Sequence, residues 1–114
     1  MTKTDAEAII REYVWKGELL LDEMNPGWAP DIDRHQFNIT RCDSCLLGQL
    51  YGEFGRGVVK LNIAADAFGF DLSDQFYEDD FDDHWAWQKL QEVWNETLDR
   101  KLAVPHPEKE LVPA

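Results

Sequence analysis

Apolar residues recur at helical spacing in two long stretches, one near each end of the chain. A helix-period pattern cannot settle as a strand, so these stretches commit the fold to helices. In the first, Ile10, Tyr13, Val14, Gly17, Leu20, Leu21 and Met24 form a stripe. Arg11, Glu12, Lys16, Glu18, Asp22 and Glu23 fill the other faces. Thr4 with Glu7 reads as a capping box at its start. Asn25-Pro26-Gly27 must end it, because proline lacks an amide donor and glycine unlocks the chain. In the second stretch, Trp87, Leu90, Trp94 and Leu98 follow at spacings of three, four and four, widened by Ala86 and Val93. Asp82 and Asp83 supply an N-cap and an acidic first turn, and Arg100 and Lys101 fall in the last turn. Pro105 and Pro107 forbid continuation. The pattern predicts helices at 4–24 and 83–103. Trp94 and Leu90 are expected to pack on the first helix near Tyr13 and Leu20.

The middle of the chain is less periodic. Residues 25–40 read as an irregular connector, with Trp28 as a plug closing it over the core. A brief extended piece at Phe37–Ile39 fits the alternation there. Thr40 and Asp43 resemble a cap pair before a shorter helix at about 43–54, with Leu46, Leu47, Leu50, Tyr51 and Phe54 on its apolar face. Gly48 and Gly52 thin one side for tight helix contact, and Gly55 with Gly57 ends the helix. Gly17 costs about 1 kcal/mol in a helix interior, and its place on the stripe suits close approach of another helix. Val58–Ile63 has strand character but no partner strand, and a lone strand leaves its backbone unsatisfied. One or two short helices are expected instead. Ser73 is positioned to cap a further turn carrying Phe76 and Tyr77.

At 114 residues the chain suits one domain, here 1–103, followed by an extended tail at 104–114. The expected class is all-α: a compact helical bundle of two long helices, shorter helices and the connector. Its apolar fraction of 44% is too high for a disordered chain. No apolar run reaches the length of a membrane span. Met1–Asp5 has no basic flank leading into an apolar core, so no signal peptide is expected.

Charge is the most informative remaining property. The net charge is −12, from 23 acids against 11 bases, which disfavours phosphate backbones and anionic membranes. Between Lys60 and Lys89 there is no base, yet Asp66, Asp71, Asp74, Glu78, Asp79, Asp80, Asp82 and Asp83 all lie there. Phe68, Phe70, Phe76, Tyr77, Phe81, Trp85 and Trp87 interleave with them. A solvating acidic tail would lack those aromatics. Anchored on the core, such a face attracts a basic partner. The candidate partner-binding set is Asp74, Phe76, Tyr77, Glu78, Asp79, Asp80, Phe81, Asp82 and Asp83, with Phe76, Tyr77 and Phe81 partly exposed. A solvated surface that keeps the protein soluble is the plainer reading of the same charge.

Cys42-Asp43-Ser44-Cys45 is the one recognisable short motif. A helix start lowers a thiol pKa, which admits redox chemistry. The missing βαβ pattern and the charge of Asp43 oppose it. Two thiolates also have zinc spacing, and His35 is the candidate third ligand, with His84, Asp31, Asp33 or Asp43 able to complete four. Two small, partly buried thiols without a ligand is the simpler account. A calcium loop from Asp71 fails, because Phe76 stands where the tight turn needs glycine. No catalytic motif occurs, and Gly52–Gly57 follows a helix rather than a strand, unlike a dinucleotide site. No enzyme activity and no cofactor are expected.

The order Leu21-Asp22-Glu23, Pro26-Gly27-Trp28, Cys42-Asp43-Ser44-Cys45-Leu46-Leu47-Gly48-Gln49-Leu50-Tyr51-Gly52 and Gly69-Phe70-Asp71 resembles a group of small acidic proteins of actinobacteria and their phages. The likeness spans about residues 17–72. The group has no assigned activity, so no site residue is carried over. The resemblance implies a cytoplasmic setting in a host cell, during phage infection or lysogeny, and favours a protein that binds a host protein.

The expected function is therefore a small non-enzymatic protein-binding module. Its acidic-aromatic face (66–87) would meet a basic host protein, in one version by standing in for nucleic-acid phosphates. A zinc-bound or thiol-based regulator centred on Cys42 and Cys45 is the alternative, and a purely structural accessory the third.

Overall fold

The computed structural model describes residues 2–72, 74–77 and 82–103. Four α-helices order along the chain as α1 (Lys3–Met24), α2 (Leu46–Tyr51), α3 (Phe54–Leu61) and α4 (Asp83–Ala103). Short 3-10 turns lie at Ala29–Asp31, Ala65–Phe68 and Asp74–Tyr77. No strand occurs among the described residues, and the all-α class holds. The proposed 104–114 tail lies outside them.

The capping box of α1 begins two residues earlier than the Thr4–Glu7 spacing predicts. The Thr2 hydroxyl accepts from the Asp5 amide at 3.1 Å, and the Thr2 amide donates to Asp5 Oδ2 at 3.3 Å. Asp5 fills the third position, where glutamate or glutamine is usual. Glu7 is thereby free to bind Arg11 at 2.8 Å and Lys89 at 3.6 Å. At the far end the Asn25 amide donates to the Leu21 carbonyl, and Gly27 turns the chain with φ +80°.

α1 and α4 pack together along one side of the core, and Trp94 of α4 is its centre. Trp94 is fully buried, stacked on Phe70 at 5.5 Å and edge-on to Trp28 at 6.2 Å. Its indole N–H donates to the Gly69 carbonyl at 2.6 Å. Trp28 closes the connector, as its position after the Pro-Gly break suggests. Its indole donates to Asp22 at 2.9 Å, and Lys101 lies over its ring.

Gly17 serves closer packing than a helix–helix contact alone. A Cβ there would sit 2.1 Å from the Phe68 carbonyl oxygen and 3.0 Å from the Trp94 ring. The 65–69 turn crosses α1 at this point. Gly69, at φ +74°, completes the approach, since a Cβ there would meet the Val14 backbone at 2.9 Å.

The helix expected at 43–54 is shorter, α2 at Leu46–Tyr51, and α3 takes in most of the Val58–Ile63 stretch where a short helix rather than a strand is expected. Gly52, at φ +91°, ends α2, and Gly55 and Gly57 lie inside α3 rather than ending a helix. Gly57 is where α2 and α3 touch, since a Cβ there would lie 2.7 Å from Leu47 Cβ. Gly48 instead fits beneath the Cys42 carbonyl. The start moves as well: Arg41–Ser44 form turns, and Cys45 is the N-cap of α2. Gln49 holds this joint to the connector through Asp33 and Ser44.

Two α4 assignments change. The chain reads Trp85-Ala86-Trp87, and one of the three sits fully inside. Ala86 does so, and Trp87 is left half-buried. Arg100 and Lys101 do more than meet the helix dipole. Both bind Glu18, which is buried on α1 although the sequence places it on an outer face. A buried carboxylate needs such partners to offset its desolvation.

Candidate functional site

The acidic-aromatic stretch divides into parts with different fates. The turn Asp74–Tyr77 packs against α4. Phe76, expected on the partner face, is only 1% exposed. It is a core residue and leaves the binding set, because this turn needs an apolar anchor of its own to sit on the bundle. Asp74 and Tyr77 open and close that turn. Glu78, Asp79, Asp80 and Phe81 lie outside the described residues. Asp82 and Asp83 are exposed at the opening of α4, as expected. Asp82 Oδ1 accepts from the Trp85 amide at 3.0 Å, so Asp82 is the cap and Asp83 the first-turn acid.

Immediately beyond these acids lies a groove of about 480 Å³ between residues 37–40 and α4, bordered by His84, Trp87, Gln88 and Gln91. Gln91 builds it. Its side-chain oxygen accepts from the Ile39 amide at 2.6 Å, and its NH2 reaches the Phe37 carbonyl at 3.5 Å. This bond fixes residues 37–39 along α4, with Phe37 and Ile39 buried in the core. Trp87 also borders a second cleft of about 240 Å³, together with Thr40, Arg41, Cys42, Phe54 and Asp71. One side of the helix opening thus presents a half-buried indole between two recesses. The apolar spacing puts Trp87 on the core stripe, and the structure leaves it half-buried against the core. The small residue between two tryptophans was the available signal. Trp85 meets two cations, Lys3 at 5.3 Å and Lys89 at 5.8 Å from its ring centre.

Asp71 borders the second cleft and accepts from the Leu72 amide at 2.8 Å. Burial, helped by Asp66, pushes its carboxyl above the usual range. A raised folded-state pKa favours the protonated folded form, so the ionised carboxylate opposes folding at neutral pH. Asp71→Asn is expected to raise stability at pH 7. The gain should vanish as pH falls below the unfolded carboxylate pKa of about 3.9, as denaturant titrations at both pH values would show.

The thiols differ from each other. Cys42 is exposed and Cys45 is buried. Cys45 Sγ accepts from the Gly48 amide at 3.3 Å and lies 3.9 Å from the Cys42 carbonyl oxygen. Burial pushes this thiol up, outweighing the backbone amides that lower it. The helix-start argument for a reactive thiolate therefore fails at Cys45. His35 is exposed and is not brought to the pair. Among the described residues no group of three or more His, Cys, Asp or Glu is placed to hold a metal. The reason is local: Cys45 points inward as a helix cap, away from any shell that His35 and Cys42 could form.

A thiol reagent is expected to modify Cys42 alone in the folded protein and both cysteines after denaturation, read by intact mass. Replacing both by serine should leave the fold intact, within about 2 kcal/mol, because serine caps a helix well. Equal labelling rates in the native state would contradict the inward placement of Cys45.

Compared with protein-family models, curated proteins and solved structures, the chain matches none of them.

Proposed function

We propose that this protein is a non-enzymatic binding module whose acidic-aromatic face meets a basic protein partner. The observation that carries this reading is the juxtaposition of exposed Asp82 and Asp83 with the groove that presents Trp87. An interface needs an aromatic anchor within a polar rim, and this end of α4 supplies both. Partner cations meet the carboxylates, while an apolar side chain of the partner enters beside Trp87. The 28 residues without a base between Lys60 and Lys89 extend the same negative field. That field speeds encounter with a basic surface and repels nucleic acid.

In the more specific form of the proposal, the carboxylates stand where phosphates would and the partner is a nucleic-acid-binding protein of a host cell, engaged by a phage-encoded protein. Capture from an actinobacterial lysate at low and high salt tests it. The expected result is a basic protein retained at low salt and lost as salt rises, since screening weakens exposed charge pairs. Asp82→Asn with Asp83→Asn should slow its association several-fold and flatten the salt dependence. Folding should be unaffected, as asparagine caps equally well. A partner indifferent to both salt and these substitutions would remove the electrostatic reading. About one zinc per purified chain would favour the thiol-centred regulator instead.

A further inference from the structure

Arg56 and Lys60 lie one turn apart on α3, with Val59 between them at 79% exposure. Together with Tyr51, Glu53 and Gly55 they border an open depression of about 570 Å³, where two bases outnumber the one acid. These two bases stand apart from the other lysines and arginines of the described residues. Lys3 and Lys16 lie over aromatic rings, and the others form ion pairs. Among the described residues Arg56 and Lys60 do neither. A chain with a net charge of −12 thus keeps two bases unengaged around an exposed apolar side chain.

We propose that this face of α3 docks the acidic opening of α4 in a second copy of the chain, forming a twofold dimer. Charges within one sequence complement each other. Arg56 and Lys60 meet the carboxylates of Asp82 and Asp83, and Val59 covers apolar surface beside them. The starts of α3 and α4 lie near each other, since Phe54 of α3 and Trp87 of α4 border one cleft. A twofold axis beside them lets two copies make the contact twice, which closes the assembly. Overall repulsion between two acidic chains does not forbid it. At 0.15 M salt charges beyond about 8 Å are largely screened, while pairs in contact are not. The inference goes beyond the proposed function, since it places a second copy in competition with a basic partner for the acidic face.

Sedimentation equilibrium of the full chain at about 0.15 M salt tests it. The wild type is expected to show a concentration-dependent monomer–dimer equilibrium. Arg56→Glu with Lys60→Glu should weaken it at least about tenfold, since it turns two attractive pairs repulsive. Asp82→Asn with Asp83→Asn should weaken it by a few-fold. Circular dichroism confirms that each variant is folded, and Arg56→Gln with Lys60→Gln serves if the reversal is not. A wild type that stays monomeric at all concentrations overturns the proposal. So does a dimer that the α3 substitutions leave unchanged. Because those substitutions keep the acidic face intact, they leave partner capture as a separate result.

Discussion

Trp94→Ala is expected to cost about 3–5 kcal/mol, the range for truncating a core aromatic. The structure gives three reasons for the upper part of that range. The side chain is fully buried, it stacks on Phe70, and it braces Trp28 at the closure of the connector. Truncation also strands the Gly69 carbonyl, which accepts from the indole. For a domain of this size each kcal/mol shifts the melting temperature by about 4–8 °C, so a fall of 12 °C or more is expected. Trp94→Phe separates the two contributions. It keeps most of the apolar surface and loses the hydrogen bond, so it should cost about 1–3 kcal/mol. An unchanged midpoint for Trp94→Ala would mean that the α1–α4 packing is wrong.

Gly17→Ala is expected to destabilise although alanine is the better helix former. Helix propensity favours alanine by about 1 kcal/mol. Against it, the new Cβ would lie 2.1 Å from the Phe68 carbonyl oxygen, which is backbone and cannot swing away. The 65–69 turn would have to lift off α1, disturbing the Gly69 carbonyl that holds Trp94. Overpacking of this kind costs about 1–3 kcal/mol, occasionally more, so the net sign is unfavourable. Gly55→Ala is the control of opposite sign. It lies in α3 with only Glu53 Oε1 near, at 3.4 Å. That substitution should stabilise by about 0.5–1 kcal/mol. Denaturant midpoints of the two variants on opposite sides of wild type would confirm both placements. A Gly17→Ala variant at least as stable as wild type would reject the crossing of the 65–69 turn over α1.

The candidate site was only partly legible before the structure. The acidic run and its aromatics are plain in the sequence, and so is the acidic opening of α4. Which aromatics face out is not. Phe76 goes fully into the core, and Trp87 is left half-buried against it. Composition treats them alike, and a three-residue 3-10 repeat directs a side chain differently from an α-helix. Cys45 shows the same limit. A helix-start position implies a lowered thiol pKa, but burial of the sulfur reverses the direction, and burial belongs to the whole fold.

The amino-acid sequence by itself determined the two long helices and their stop signals. Each of these rests on interactions within a few residues: apolar period, capping, a proline without an amide. Tertiary structure alone decided what happens at the glycines and at the buried charge. Gly17 and Gly69 let the 65–69 turn cross α1, Gly52 splits α2 from α3, and Glu18 goes inside because Arg100 and Lys101 arrive from 82 and 83 residues away. A glycine or a carboxylate is locally compatible with several environments. Only the atoms brought against it by distant parts of the chain select one.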